Sequence, residues 1–369
     1  MGDSADITLR GLCLGRRTLT PGAVHIAGGT FADVAAPGAD TVDLPDGWVI
    51  TPGLVDVQVN GYAGLEVDAP GALPAVRRAL AEDGVVAFCP TLVSRHLHAY
   101  PDAVSRLTDG ATEGAAVAGI HLEGPFLSPR RAGAHDPAAL CAADPHSVGA
   151  VAAFEPAIVT LAPEVPGALD AIGALRAAGT VVAVGHTECD ADALDAAATR
   201  GARLVTHAFN AMPGITARGA SPLAAALQDE RLYVSLIADG HHVRPEVCRL
   251  SFALAGHRMV LVSDASAAAG APPGAYALGG RKVTSDGEAV RDADGRLAGG
   301  ALPLWRCVRR AVDMGVPRAH ALWAACGAPR EVLGRRVAER RASLAVFDAD
   351  HRPRAVMVDG AWVGSPGWE

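Results

Sequence analysis

A chain of 369 residues, 50% hydrophobic and 20% charged, holds enough apolar material for one large α/β barrel or two ordinary domains, and excludes global disorder. Its formal charge of −8 and pI near 5.9 exclude a surface of clustered Lys and Arg, so no nucleic-acid partner is expected. A small phosphorylated ligand needs only one or two local cations and stays open. The seven cysteines (Cys13, Cys89, Cys141, Cys189, Cys248, Cys307, Cys326) are scattered and contain no CxxC pair, which fits reduced, mostly buried thiols. No basic segment followed by an apolar run opens the chain, Asp6 stands where a myristoylation signal carries Ser or Thr, and no apolar run approaches membrane-spanning length. A soluble cytoplasmic protein without a membrane partner is expected.

The first 50 or so residues read as short alternating strands (Ile7-Thr8-Leu9, Ala23 to Ile26, Thr41 to Leu44) between Gly, Pro and Asp turns. Eight apolar strands then recur: Val49 to Gln58, Val85 to Thr91, Ala116 to Glu123, Ile158 to Glu164, Val181 to His186, Leu204 to His207, Tyr233 to Asp239, and Met259 to Asp264. Helical spacing marks Ala72–Glu82, Ala168–Ala178, Ala191–Arg200, Pro222–Gln228, Pro245–Ala255 and Leu304–Met314. Residues Ala277–Ala298, with a turn at Asp294-Gly295, read as a hairpin inserted after the eighth strand. Strands return at Leu344 to Asp348, Ala355 to Val358 and Ala361 to Val363. The expected fold class is α/β: a (β/α)8 TIM-type barrel over residues 52–335, with a small β-sandwich domain formed from both termini, 1–51 and 336–369. Periodicity alone leaves an open doubly wound sheet as the alternative.

The strand ends favour the barrel. In order they carry Gln58, Thr91, Glu123, Glu164, His186, His207, Asp239 and Asp264. Scattered through a core these groups would be costly to bury, whereas on one rim of a barrel they converge on a single site. Glu123, His186 and His207, one carboxylate and two imidazoles, suit one divalent ion: zinc foremost, with iron, cobalt or manganese as alternatives. Each alone would read as a hydrogen-bonded strand terminus; their joint placement on one rim favours a metal site. Asp264 is placed to take a proton from water and return it to a leaving group, and could also cap the segment that follows.

Seven segments form one ordered set: Pro52 to Gly61, His121 to Phe126, Gly133 to Pro137, Val184 to Thr187, Thr206 to Met212, Ile237 to Val243 and Val262 to Ala265. In these the chain resembles, nearly end to end, the N-acetylglucosamine-6-phosphate deacetylases of the amidohydrolase superfamily. The resemblance implies that Glu123, His186 and His207 are the metal ligands and Asp264 the general base and acid. It further implies that Ala134 and His135 contact the substrate, with His135 on the acetyl carbonyl. Asn210 and Ala211 would meet the sugar phosphate, Arg218 would be its cation, and Leu297-Ala298-Gly299 would close over the substrate. His242 is implied to face the phosphate from across a homodimer interface. Many amidohydrolases carry His-x-His at the end of strand one; here Gln58-Val59-Asn60 stands there, which favours a one-metal site with Gln58 reaching the ion through water.

Some histidines fall outside this set. His96-Leu97-His98 follows strand two and leads into a polar helical stretch, so it is not expected to bind metal. His241 and His242 point opposite ways in an extended segment, so one of them reaches the site. His121 shares a strand face with Glu123 and is expected to support it rather than bind the ion. Two departures from the family lie near the sugar-phosphate end: Gly219 to Pro222 after Arg218, and Gly300 where Ser or Thr is common.

The implied reaction is hydrolysis of the acetamide of N-acetylglucosamine 6-phosphate to acetate and glucosamine 6-phosphate. The alternatives are deacetylation of a different N-acetyl amino sugar or secondary-metabolite intermediate, and a barrel retained as a non-enzymatic binding protein.

Overall fold

The computed structural model describes residues 6–107, 113–219, 221–337 and 341–368. Seven strands lie side by side in parallel and in chain order: Val85–Val93, His121–Glu123, Ile158–Leu161, Val181–Val184, Leu204–Val205, Tyr233–Leu236 and Met259–Leu261. Leu54–Val59 pairs parallel with Val85–Val93, and a parallel bridge from Val59 to Ala265 joins the first strand to the residues just past the eighth. The sheet therefore curls into a nearly closed barrel rather than an open doubly wound sheet.

Alternation along the strands separates two cores. Val55, Val57, Ala87, Cys89, Ile158, Ala183, Leu204 and Val260 belong to one buried cluster with Ala328, Val332 and Leu333. The neighbouring positions Leu54, Val85, Phe88, Val159, Val182, Val205 and Leu261 pack in the larger cluster with the surrounding helices. The helix Arg318–Leu333 and the turn Gly334–Val337 after it connect that inner cluster to the N-terminal ends of the strands: Arg330 donates to the carbonyls of Pro52 and Gly53, and Arg336 to those of Pro156 and Gly179. With that end plugged, the polar groups collect at the opposite, C-terminal end.

Ala191–Arg200, Pro222–Gln228 and Pro245–Ala255 form as their spacing predicts, while Leu73–Glu82, Ala168–Ala177 and Leu304–Asp313 differ by a residue at one end. Helices at Pro145–Ala152 and Arg318–Leu333 escaped the pattern. Their Pro and Gly residues obscure the period: Pro145 starts the first, and Gly327 and Pro329 lie inside the second.

The strands differ more. Val49 to Gln58, expected as one strand, is two, Val49–Thr51 in the terminal sheet and Leu54–Val59 in the barrel, parted at Pro52-Gly53 with Gly53 at φ +79°. Ala116 to Glu123 is likewise broken into Ala116–Val117 and His121–Glu123 around Gly119 at φ +116°. The later strands stop short of their polar ends because His186, His207 and Asp264 adopt φ of +48°, +28° and +47°, which no ladder accommodates.

The segment after the eighth strand is a four-stranded antiparallel sheet, Gly274–Leu278, Arg281–Ser285, Ala289–Arg291 and Leu297–Gly300, rather than a single hairpin. The termini build the smaller β domain, an eight-stranded sheet in which Ile7–Leu14 pairs with Leu19–Ala27 on one side and with both Asp40–Asp43 and Val49–Thr51 on the other. Leu344–Phe347 joins through Val49–Thr51, so both ends of the chain share one sheet. Ile7, Leu9, Ile26, Trp48, Ile50, Leu344, Val346 and Met357 form its core.

Candidate active site

Glu123, His186 and His207 come together at the C-terminal end of the barrel, and each is buried. Glu123 Oε1 lies 3.1 Å from His186 Nε2 and 2.9 Å from His207 Nε2, and the two nitrogens are 3.2 Å apart. Two donors on one tetrahedral ion with bonds of about 2.1 Å are roughly 3.4 Å apart, close to these edges. His186 Nδ1 donates to the Arg131 carbonyl at 2.8 Å, so in the neutral ring Nε2 is a lone pair facing the carboxylate and the second imidazole. A cation between the three atoms stabilises that arrangement, and the donor set fits one. Among the described residues this is the one such His/Cys/Asp/Glu group. Burial opposes the charge on Glu123, but the facing imidazoles of His135, His186 and His207 outweigh it and hold the carboxyl well below its ordinary range.

His135 stands on the other side of the carboxylate, with Nε2 3.5 Å from Glu123 Oε2. The Ser94 backbone N–H can only donate, and it does so to His135 Nδ1 at 3.0 Å. The neutral ring therefore carries its proton on Nε2, toward the site. Burial, aided by the neighbouring His186, lowers the His135 pKa and keeps the ring neutral.

Asp264 is 8% exposed, and its Oδ1 accepts from Asn60 Nδ2 at 2.9 Å. Burial first, then the charge of Glu123, raises it to about 6 against the pull of His207, His242 and Asn60. It faces a cavity of about 550 Å³ shared with Glu123, His135, His186 and His207. Ala134, Asn210, Ala211, Leu297, Ala298 and Gly299 line the same cavity, so most of the expected substrate contacts are brought together. Asn210 Nδ2 is tied to the carbonyls of His207 and Ala208 at 3.1 and 3.3 Å, which leaves its amide oxygen for a ligand.

Three further expected residues lie as follows. His242 lines the cavity of its own chain, where Asp239 accepts from its Nδ1 at 2.7 Å. Arg218 is exposed and lies outside the cavity lining. Gln58, expected to reach the ion through water, donates from Nε2 to Glu123 Oε1 at 3.0 Å, beside the ligand set. His241, His96 and His98 are exposed and line no part of the site. Glu164 accepts from the Thr187 hydroxyl and the Glu188 N–H, away from the cavity.

His121 supports the rim rather than binding there. Its Nδ1 donates to the Val57 carbonyl at 2.9 Å, so Nε2 accepts from the Thr160 hydroxyl at 2.8 Å, and Thr160 is 2.8 Å from Thr206. The chain of bonds ties strands one, three, four and six just below the ligand set. The lining also includes Asn60, Arg130, Arg131 and Arg296, which the strand-end pattern missed. Asn60 was within reach of that pattern, because it lies two residues past Gln58 on the same strand face. The arginines sit on loops, where no periodicity points to them.

A nearly closed barrel with a buried Glu/His/His centre, a buried carboxylate and a buried neutral histidine at its C-terminal end has the arrangement of a hydrolase of the amidohydrolase type. No family model matches the chain. It is 35% identical over 352 residues to the N-acetylgalactosamine-6-phosphate deacetylase of Escherichia coli O157:H7, covering 91% of this chain and 93% of that protein. It is also 35% identical over 323 residues to the N-acetylglucosamine-6-phosphate deacetylase of Danio rerio, covering 82% and 79%. The solved N-acetyl-D-glucosamine-6-phosphate deacetylase of Mycobacterium smegmatis, in complex with N-acetyl-D-glucosamine-6-phosphate, superimposes with a TM-score of 0.88 at 34% identity, covering 98% of this chain and all of that one. The chain belongs to the N-acetylglucosamine-6-phosphate deacetylase family of the amidohydrolase superfamily.

Proposed function

We propose that this chain hydrolyses the acetamide of N-acetyl-D-glucosamine 6-phosphate to acetate and D-glucosamine 6-phosphate, in amino-sugar catabolism. The observation that carries the reading is the convergence of Glu123, His186, His207, His135 and Asp264 on one cavity. One divalent ion per subunit, zinc by the donor set, would be held by Glu123, His186 and His207 and would acidify a water and polarise the acetamide oxygen. Asp264, as the carboxylate, takes a proton from the attacking water as its oxygen bonds to the carbonyl carbon. His135 donates its Nε2–H to the carbonyl oxygen as negative charge develops there. Asp264 then passes the proton to the nitrogen, the C–N bond breaks, and the amine leaves.

The phosphate end falls to cations on this chain's own loops. Arg130, Arg131 and Arg296 line the cavity with His242, and Arg296, whose side chain is 75% exposed, can swing toward an anion. We read the protein as cytoplasmic and homodimeric, in line with its free thiols and family; no helix among the described residues is long and apolar enough to cross a membrane. A second reading, the galactosamine epimer, is favoured by the 35% identity over 91% of the chain to the E. coli deacetylase for that sugar.

The test is acetate release by zinc-loaded protein from N-acetylglucosamine, its 6-phosphate, and N-acetylgalactosamine 6-phosphate. The expected result is turnover of N-acetylglucosamine 6-phosphate, lost by about 10³-fold or more in Asp264→Asn with metal content unchanged. Arg296→Ala should raise KM for the 6-phosphate and leave the unphosphorylated sugar unaffected. A near-normal rate in Asp264→Asn, or preference for the unphosphorylated sugar, defeats the reading.

A further inference from the structure

The end of the first barrel strand carries two amides, Gln58 and Asn60, spaced so that both face inward. Each meets a different carboxylate. Gln58 Nε2 donates to Glu123 Oε1 at 3.0 Å, on the ligand set, and Asn60 Nδ2 donates to Asp264 Oδ1 at 2.9 Å, on the base. Chemistry decides which way the Asn60 amide faces, because an ionised carboxylate only accepts and so must meet the nitrogen.

That orientation has a cost. Asn60 is 6% exposed, and its Oδ1 is buried without a hydrogen-bond partner. A buried carbonyl left unpaired is destabilising, and an apolar side chain of similar shape would avoid it. The backbone has no need of the side chain: the Asn60 N–H donates to the Ala265 carbonyl at 2.7 Å, and its carbonyl accepts from Val67 N–H at 3.0 Å. What the amide supplies is one hydrogen bond, to Asp264.

Asp264 needs such a partner. Its backbone is left-handed at φ +47°, and its main chain is held by Gly300 N–H donating to its carbonyl at 2.7 Å. None of these backbone contacts sets the rotation of the carboxylate plane. The Asn60 bond does.

We propose that Asn60 is a positioning residue for the hydrolysis, holding one carboxylate oxygen of Asp264 so that the other faces the cavity. The inference rests on the deacetylase reading above. It distinguishes Asn60 from Gln58, its neighbour on the same strand: loss of Gln58 should weaken the metal centre, whereas loss of Asn60 should spare metal and substrate binding and slow the chemical step.

The experiment compares Asn60→Leu and Asn60→Ala with the natural chain, all zinc-loaded, using acetate release from N-acetylglucosamine 6-phosphate, zinc content and thermal melting. The expected result in both variants is a fall in kcat of about 10- to 100-fold, KM within about twofold, full zinc content, and a melting temperature no lower in Asn60→Leu. A double variant supplies a second check. Added to Asp264→Asn, Asn60→Leu should cost nothing more, because it acts through the group already removed. The proposal is overturned if kcat stays within twofold of the natural chain, if zinc is lost along with activity, if both variants fail to fold, or if the double variant loses a further tenfold. A natural chain that releases no acetate defeats the deacetylase reading and this inference with it; an active natural chain with an equally active Asn60→Leu defeats this inference alone.

Discussion

His135 has one proton to give in its neutral form, and the backbone N–H of Ser94, 3.0 Å from Nδ1, places that proton on Nε2. The Ser94 hydroxyl is also 2.9 Å from Nδ1, but its one proton goes to the Glu123 carbonyl at 3.0 Å, so it is not needed to fix the tautomer. His135→Ala should therefore lower kcat by about 10²–10³-fold, the loss of one oxyanion donor, while zinc content stays intact. Ser94→Ala, which keeps the main-chain donor, should cost less than about tenfold. Steady-state kinetics on the pair checks the assignment, and equal losses would move the role from the backbone to the hydroxyl. At this scale the grouping of Glu123, His186, His207 and Asp264 was legible because each ends an apolar run. Ser94 was not, and the strand face that Asn60 shares with Gln58 does not name its partner, because the partners lie 41 and 204 residues away.

Among the elements, the strand ends and the inserted sheet together shape the site. His186, His207 and Asp264 share left-handed backbone where the ladders stop, which turns their side chains off the strand direction and over the barrel mouth. Leu297–Gly300, the last strand of the inserted sheet, is stitched to this rim: Gly300 N–H donates to the Asp264 carbonyl, and the Gly300 carbonyl accepts from Ser266 N–H at 3.0 Å. A Cβ at position 300 would meet the Ser263 carbonyl oxygen at 2.2 Å, a backbone atom that cannot swing aside. This close approach is the physical reason for glycine at this position. Gly300→Ala should push the strand away from Asp264, costing about 1–3 kcal/mol of stability and lowering kcat more than it raises KM; thermal melts and kinetics together test it. The four strands of this insertion exceed the single hairpin that the Asp294-Gly295 turn advertises, because the short strand Ala289–Arg291 is too brief to show a period.

For the whole molecule, closure of the barrel depends on the join between strand one and the residues after strand eight, and a buried acid sits in it. Asp56 is fully buried; its Oδ1 accepts from the Ser263 and Gln58 N–H groups, each at 3.3 Å, and its Oδ2 from the Ser263 hydroxyl. Burial raises its pKa to about 7 despite these bonds, with the charge of Asp264 adding to the rise. The folded state thus holds a proton that the unfolded chain gives up near pH 3.9. Stability from this group is fully present below that value and is lost as pH rises through about 7. Between pH 5 and pH 8 the loss should be about 2.5 kcal/mol, at roughly 1.4 kcal/mol per unit over the part of the range below the folded pKa. Asp56→Asn removes the titration and keeps the shape, since its amide can donate to Ser263 Oγ. Denaturant unfolding of the metal-free protein should therefore show the natural chain losing stability from pH 5 to pH 8 relative to Asp56→Asn, and parallel curves for the two would mean that the carboxyl at the barrel seam stays ionised throughout.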